Sequence, residues 1–216
     1  MPQPPTILVI SQVYVPDPAS VGQHMADAAE ELARRGNRVQ VLTSRRGYDD
    51  PSKVYPARED LNGVDVVRMP LSSLGKATLL HRIAGQLCFL AQAVVRGLFT
   101  RNLSAILVST SPPMASIAAL VIRLFRRAPI TFWVMDLNPD QVIATGHMQP
   151  NSLPVRMMDW LNRRILSAAD QIVPLDRFMA DRLRAKLTDQ PTKLAKVEAK
   201  FNVMPPWPML EEPELV

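Results

Sequence analysis

Two short stretches, Ile7-Leu8-Val9-Ile10 and Val39-Gln40-Val41-Leu42, decide the fold of this chain. Both are rich in β-branched residues, which is typical of strands buried on both faces of a parallel sheet. Between them, Ser20 followed by Gln23 predicts a capping box that opens a helix, and Gly36 predicts where that helix ends. A strand, a helix and a strand in this order predict a right-handed βαβ unit.

The same alternation continues along the rest of the chain. Asn62-Gly63 predicts a hairpin turn, because both residues tolerate a positive φ. Further patterns predict strands at 105–108, 130–135, 171–173 and 196–203, and helices at 78–101, 114–127, 152–167 and 178–187. We therefore predict an α/β fold with an open, doubly wound, mostly parallel Rossmann-like sheet over residues 1–204. Residues 205–216 are rich in proline and glutamate, which predicts an interdomain linker or tail.

Composition excludes several classes of protein. The 216 residues include 25 lysines and arginines against 20 acids, a net charge of +5 that favours contact with anions. The arginines lack interleaved aromatic residues, which argues against a nucleic-acid binder. Cys88 is the single cysteine and the three histidines lack metal-site spacing, so we expect neither disulfides nor a metal. The first residues do not form a signal peptide, and residues 83–99 are too polar to span a bilayer. We therefore expect a cytoplasmic protein, soluble or lying against a membrane.

Ligands of open α/β sheets bind at the carboxyl ends of the strands, so the loops there form the candidate site. The sequence contains neither the G-x-G-x-x-G motif after its first strand nor a P-loop, which argues against dehydrogenases and P-loop NTPases. Gly22, at the start of the first helix, could let a diphosphate approach backbone N–H groups. The alternative is that Gly22 only forms a turn.

Two later loops carry polar groups at the same edge. The hydroxyls of Ser109-Thr110-Ser111-Pro112-Pro113 could bind a sugar or phosphate, or the stretch could be only a stiff turn. Asp136 follows a buried strand, and its carboxylate could orient or deprotonate a hydroxyl nucleophile, with Asp140 just beyond it. The alternative is that Asp140 or Asn138 caps the next helix.

Taken in chain order, these stretches resemble the N-terminal domain of the GT-B glycosyltransferases of family 4. Asp136-Leu137-Asn138-Pro139-Asp140 is similar to the Asp-Leu-Trp-Pro-Glu of that family, with Asn138 in place of an aromatic residue. The resemblance covers nearly the whole chain and rests on residues 7–12, 35–43, 63–70, 110–113, 136–140, 168–173 and 178–179.

The resemblance implies an acceptor-binding domain of a retaining glycosyltransferase that uses a nucleotide-sugar donor as substrate and needs no metal or cofactor. It also implies a separate or missing donor-binding domain, without which we expect the chain to be inactive. By position, Asp136 would be the catalytic residue facing the acceptor hydroxyl. Gly22 and Gln23 would bind the donor diphosphate, and Ser109, Ser111, Asn138 and Asp140 would line the acceptor side.

Members of this family commonly build bacterial surface polysaccharides on sugar or lipid-linked acceptors at the inner face of the plasma membrane. Residues 74–101 fit a peripheral membrane contact, with basic side chains meeting anionic headgroups and apolar ones entering the interface. The residues concerned are Lys76, Arg82, Arg96 and Arg101, and Leu79, Leu87, Phe89 and Phe99. The alternatives are a core helix at this segment and, for the whole chain, a non-catalytic domain that binds a glycan, a lipid or a protein.

Overall fold

The computed structural model describes residues 4–48, 50–72, 79–187 and 197–206. These residues form seven strands and six helices. In chain order the elements are β1 (Thr6–Ile10), α1 (Ser20–Arg34), β2 (Arg38–Ser44), β3 (Arg58–Leu61), β4 (Val64–Met69), α2 (Leu79–Leu98), β5 (Leu103–Ser109), α3 (Ala115–Arg126), β6 (Ile130–Val134), α4 (Asp140–Ala144), α5 (Leu153–Ala168), β7 (Gln171–Pro174) and α6 (Arg177–Leu187).

The strands form one sheet in the order β3-β4-β2-β1-β5-β6-β7. Every neighbouring pair is parallel except β3 with β4. The predicted open, doubly wound, mostly parallel sheet is therefore confirmed. From β1 the chain first moves through α1 to β2 on one side, and α2 later carries it to β5 on the other side. This reversal places a topological switch point between β1 and β5, where open α/β sheets bind their ligands.

The predicted hairpin connects β3 to β4. Asn62 and Gly63 have φ values of 53° and 84°, so both central residues of the turn adopt the positive φ that a tight two-residue hairpin requires. Antiparallel pairing brings Arg58 opposite Val67 and Leu61 opposite Val64. The hairpin supplies the edge of the sheet next to β2.

Side chains of the central strands alternate between two apolar layers. Val9 packs with Met25 and Ala29 of α1 on one face. Leu8 and Ile10 face the other layer, which α2, α3 and α5 cover. All three strand residues are fully buried. Burial on both faces explains why β1 is an uninterrupted apolar run rather than an alternating one.

Two local predictions are wrong. The first helical residue is Ser20, the N-cap is Ala19, and no side chain caps the helix, so Ser20 and Gln23 do not form a capping box. The predicted strand at 196–203 is also absent: Lys196 lies outside the described residues, residues 197–200 form a helical turn, and Phe201 makes only an isolated parallel bridge to Ile172.

The predicted membrane contact at residues 74–101 is wrong for at least one of its side chains and stays a prediction for the others. Phe89 is fully buried in the core, whereas Leu87 and Phe99 are exposed. The side chains of Leu79 and Arg82, like residue Lys76, lie outside the described part of the chain. None of the helices in that part has the length and apolar character needed to cross a bilayer.

Candidate functional site

The loops that follow β1 and β5 meet at the switch point and hold each other. The backbone N–H of Gln12 donates to the carbonyl of Ser111 at 2.7 Å. Ser109 Oγ donates to Ser11 Oγ at 3.2 Å and accepts the N–H of Ser111 at 3.2 Å, and Ser11 Oγ donates to the carbonyl of Val13 at 2.8 Å. Ser109 is fully buried, so its hydroxyl supports the loop, while Ser111 is half-buried beside the crevice.

The β1 loop is also held from the β2 side. The carbonyl of Gln12 accepts bonds from Thr43 Oγ1 and from the N–H of Ser44, both at 3.0 Å. The amide of Gln12 donates to the carbonyl of Ser72 at 2.8 Å, and the hydroxyls of Ser44 and Ser72 lie 2.7 Å apart. Gln12 is therefore the central anchor of this edge, a role that no motif in the sequence indicated.

Asp136 lies two residues beyond the end of β6 and is half-buried. Its Oδ2 accepts a hydrogen bond from Thr110 Oγ1 at 3.3 Å, and Thr110 Oγ1 accepts the N–H of Met135 at 3.3 Å. The Oδ1 atom of Asp136 accepts no hydrogen bond from a described residue, so one carboxylate oxygen remains available to a ligand hydroxyl. Thr110, which directly follows β5, orients the carboxylate of Asp136. A hydroxyl residue directly after a buried strand is the sequence signal that could have identified this role of Thr110.

Asp140 is the first residue of α4, and its carboxylate is engaged. Lys186 of α6 donates to Asp140 Oδ1 at 2.6 Å and to Asp159 Oδ1 at 3.0 Å, with only 11% of the lysine side chain exposed. Burial raises the pKa of Asp159, but hydrogen bonds and charges from Arg163 and Lys186 outweigh it and hold that pKa below its ordinary value. Asp140 thus anchors the β6 loop to α5 and α6.

Asn138 and Asp140 do not cap the following helix. The N-cap of α4 is Pro139 and no side chain bonds to it, which excludes the capping alternative. Asn138 is half-buried, and its carbonyl accepts a hydrogen bond from Asn162 Nδ2 on α5. Among the described residues, no three His, Cys, Asp or Glu side chains are grouped so that they could hold a metal ion.

Gly22 is buried because the β1 loop packs directly against it. A Cβ at this position would lie 3.1 Å from both the N and Cα atoms of Tyr14, tighter than ordinary contact. The N–H groups of Gly22 and Gln23 donate to the carbonyl of Ala19 at 2.9 and 3.3 Å. This geometry favours the packing interpretation of Gly22, and it brings the β1 loop against the amino end of α1.

A buried arginine fixes the far end of the same loop. Arg68, at the end of β4, donates to the carbonyl of Val15 at 2.9 Å and pairs with Glu59, and 1% of its side chain is exposed. Beside it, Tyr14 is buried, and burial raises the pKa of the Tyr14 phenol, with Glu30 adding to the effect. The loop after β1 is therefore held at both of its ends.

The chain matches the family model described as glycosyl transferase 4-like domain over residues 20–195. None of the curated protein sequences compared with the chain matches it. Similar solved structures include a UDP-glucose: anthocyanidin 3-O-glucosyltransferase in complex with UDP, at 12% identity and a TM-score of 0.55, covering 100% of this chain and 56% of that one. LpCGTa in complex with UDP is 13% identical, with a TM-score of 0.53, covering 86% of this chain and 49% of that one.

HepE from Anabaena, in complex with UDP-glucose, is 13% identical with a TM-score of 0.49 and covers 93% of this chain and 43% of that one. The chain thus spans about half the length of the solved structures that it matches. The two structures with TM-scores of 0.55 and 0.53 establish the fold, which corresponds to one half of a GT-B glycosyltransferase.

Proposed function

The chain belongs to the glycosyl transferase 4-like domain family, and from this membership we propose that it is the acceptor-binding domain of a retaining glycosyltransferase. The donor is a nucleotide-sugar, and the product is a bacterial polysaccharide or glycolipid made at the cytoplasmic side of the plasma membrane. A donor-binding domain, either a separate protein or part of a longer chain, completes the enzyme.

The observation that carries the proposal is the carboxylate of Asp136 at the carboxyl end of β6. Thr110 occupies one of its oxygens at 3.3 Å, and Oδ1 accepts no bond from a described residue. A carboxylate held in this way orients an acceptor hydroxyl and can accept its proton as the oxygen attacks the sugar. The new bond joins that oxygen to the anomeric carbon on the face that the diphosphate leaves, and the bond from that carbon to the diphosphate breaks, so the configuration is retained.

The residues around Asp136 divide into two roles. Ser111 and Asn138 are half-buried and contribute polar groups to the acceptor side. Ser109 and Asp140 act through other residues, since Ser109 is buried under the loop and Asp140 is paired with Lys186 at 2.6 Å. We therefore propose Ser111 and Asn138 as acceptor contacts and Ser109 and Asp140 as positioning residues.

On the donor side, the amino end of α1 faces the same edge as Asp136. The N–H groups of Gly22 and Gln23 are used within the helix, whereas those of Ser20 and Val21 have no acceptor in the same helix. The positive end of the helix dipole and these N–H groups favour a developing diphosphate charge. In this proposal Gly22 contributes by its shape, and Gln23 by its side-chain amide.

A membrane-bound acceptor fits the exposed apolar side chains of α2. Ile83, Leu87 and Val95 repeat at multiples of four residues, and each is about half exposed. Phe99, just past the helix, is 80% exposed. This row is suited to contact with a lipid interface, which would bring lipid-linked acceptors to the domain.

The decisive experiment measures sugar transfer by the full chain, alone and together with candidate donor-binding domains, from radiolabelled nucleotide-sugars to lipid-linked and free glycan acceptors. We expect Asp136→Asn to lower kcat by roughly 10²- to 10⁴-fold. The matched control is Asp181→Asn, an exposed α6 aspartate that pairs with Arg184 and should leave kcat unchanged. Wild-type rates in Asp136→Asn would refute the role of Asp136. Acceptor binding without transfer in every combination would favour a non-catalytic binding domain.

A further inference from the structure

A pocket of about 320 Å³ lies beneath the end of α2, against β1, β2 and β4. It opens toward the amino ends of β1 and β2, whereas the candidate glycosyltransferase site lies at their carboxyl ends. The five residues of β1 separate the two edges by roughly 13 Å. Its polar and aromatic lining consists of Thr6, Arg38, Gln40, Arg58, Arg96, Phe99, Thr100 and Arg101, and we call it the arginine pocket.

Within the described structure, only one of the four arginines of this pocket forms an ion pair. Arg58 is paired with Asp65 through two bonds of 2.6 and 2.9 Å. Arg38, Arg96 and Arg101 form no ion pair or side-chain hydrogen bond with any residue in the described ranges. Like charges gathered around one pocket repel each other, and an anion bound between them would relieve that repulsion.

The carboxylate nearest to these arginines is already saturated. Asp65 accepts both bonds from Arg58 and a third from the Gln40 amide at 2.8 Å. Burial raises the pKa of Asp65, but the bonds from Arg58 and Gln40 and the charges of Arg58 and Arg38 outweigh it, so the pKa lies below its ordinary value. Asp65 is therefore ionised and fully hydrogen-bonded to Arg58 and Gln40; Arg38 feels its charge without forming an ion pair, and Arg96 and Arg101 line the pocket without it.

The carbonyl groups at the end of α2 do not supply the missing negative charge either. Arg126 of α3 donates to the carbonyls of Leu98 and Thr100, and its bond to Thr100 is 3.0 Å long. The last turn of α2 is thus capped by a cation from outside the pocket. Arg96 and Arg101 do not take part in this cap.

A neutral hydrogen-bond donor in the pocket also lacks a partner. Thr6 is 2% exposed, and its hydroxyl oxygen forms no hydrogen bond within the described structure. A buried hydroxyl without a partner costs free energy, which a ligand accepting its hydrogen would recover. The amide of Gln40 is fixed between Asp65 and the hydroxyl of Thr100, which donates to Gln40 Oε1 at 3.3 Å.

We propose that the arginine pocket binds a phosphate group, presented by a small phosphorylated molecule or by the headgroup of an anionic lipid. Guanidinium groups form paired, charge-assisted hydrogen bonds with phosphate oxygens. Thr6 adds a hydroxyl donor, and the exposed ring of Phe99 offers an apolar contact at the same end of α2. This pocket lies at the opposite end of the strands from the glycosyltransferase site, and phosphate binding there does not depend on sugar transfer. Its lipid-headgroup source rests on the membrane contact proposed above, since Phe99 belongs to both surfaces.

The test titrates the full chain with inorganic phosphate, pyrophosphate and glycerol 3-phosphate by calorimetry. In parallel, it measures flotation with vesicles of phosphatidylcholine alone and mixed with phosphatidylglycerol. The double variant Arg96→Gln with Arg101→Gln removes one arginine of α2 and one just after the helix. It should weaken phosphate binding at least about tenfold. The matched control is Arg182→Gln, which removes one exposed arginine from α6 and should bind as the wild type does.

Calorimetric binding that the double variant weakens identifies a free phosphate compound. Flotation only with phosphatidylglycerol, lost in the double variant, identifies the lipid headgroup. Thr6→Val separates the pocket from general surface charge, since it leaves every charge in place and should weaken binding several-fold. Absence of binding to every probe, or equal weakening by Arg182→Gln, would overturn the proposal.

Discussion

Polar side chains at the carboxyl end of the sheet are mostly bonded to other parts of the protein, whereas several at the amino end are not. At the carboxyl end, Ser109, Asp140 and Gln12 are bonded to other parts of the protein, and Lys186 neutralises Asp140 across 46 positions of sequence. At the amino end, Arg38, Arg96 and Arg101 line a pocket and form no ion pair with any described residue. A polar residue at the expected edge of an α/β sheet is therefore not enough to identify a ligand contact, because many such residues build the edge itself.

This contrast predicts how substitutions at the two ends will affect stability. Side chains that hold the carboxyl-end loops should be costly to remove, because each removal leaves a buried partner unsatisfied. Replacing side chains that have no partner within the protein should change the free energy of unfolding very little. The predictions below test this difference.

The largest effect should come from Lys186→Met. The substitution leaves the carboxylates of Asp140 and Asp159 close together without their shared cation, and we expect the free energy of unfolding to fall by about 3 kcal/mol. Urea denaturation of the variant measures it. Lys53→Met is the control, since Lys53 is exposed and its side chain makes no ion pair in the described structure. Equal denaturation midpoints for the two variants would mean that the Lys186 network does not stabilise the carboxyl end.

Gly22→Ala should have the next largest effect. Alanine gains about 1 kcal/mol of helix propensity over glycine, but its Cβ would meet backbone atoms of Tyr14 at 3.1 Å. Overpacking of this kind costs about 1–3 kcal/mol, so we expect the free energy of unfolding to fall by about 1 kcal/mol. Thermal unfolding of the variant and the wild type measures it. Ser20→Ala, in the same turn, should be neutral because Ser20 makes no capping bond. A Gly22→Ala variant more stable than the wild type would show that the loop after β1 moves to accommodate the added Cβ without loss of stability.

Protonation of Asp159 at low pH should lower the stability of the protein. The pKa of Asp159 in the folded protein lies below its unfolded value of about 3.9, so its contribution to stability is complete above that pH. It is lost as the pH falls through the lower, folded-state pKa. Thermal unfolding between about pH 5 and 2.5 should therefore show a smaller acid-induced loss in Asp159→Asn than in the wild type. Identical pH profiles would exclude Asp159 as a contributor.

The smallest effect should come from the amino end. Arg96→Gln with Arg101→Gln removes two exposed cations that form no ion pair with a residue the structure describes, so the free energy of unfolding should change by less than about 0.5 kcal/mol. Chemical denaturation in low salt is the most sensitive measurement, because salt screens the repulsion between the arginines. A fall in the free energy of unfolding comparable to that of Lys186→Met would show that these arginines stabilise the fold. The proposed difference between the carboxyl and amino ends of the sheet would then be wrong.

The sheet could be predicted from the sequence because each strand carries its own signal. The β-branched run at 7–10 needs burial on both faces, and Asn62-Gly63 permits only a tight turn, so local chemistry and global structure agree. The predicted strand at 196–203 was wrong because contacts with α6 override its local pattern. Arg184 pairs with Glu198 at 2.7 Å and lies over the ring of Phe201, which favours the observed turn.

The places of the candidate residues in the fold could be predicted, but their contacts could not, and their roles remain predictions. Asp136 and Ser111 were recognisable because they follow buried strands. The partners that decide each role are distant in sequence: Lys186 for Asp140, and Tyr14 for Gly22. No local pattern distinguishes a carboxylate that meets a ligand from one that meets a lysine on another helix.

The bond between the N–H of Gln12 and the carbonyl of Ser111 joins the loops after β1 and β5 through main-chain atoms alone. Replacing the side chain of Ser111 therefore leaves this link intact, whereas the Gln12 amide and the Ser109 hydroxyl hold the edge through their side chains. Under the proposed function, position 111 can vary together with the tip of β6 without loosening the two loops. A randomised library built at 111, 138 and 141 should yield more folded variants with altered acceptor binding than one built at 12 and 109.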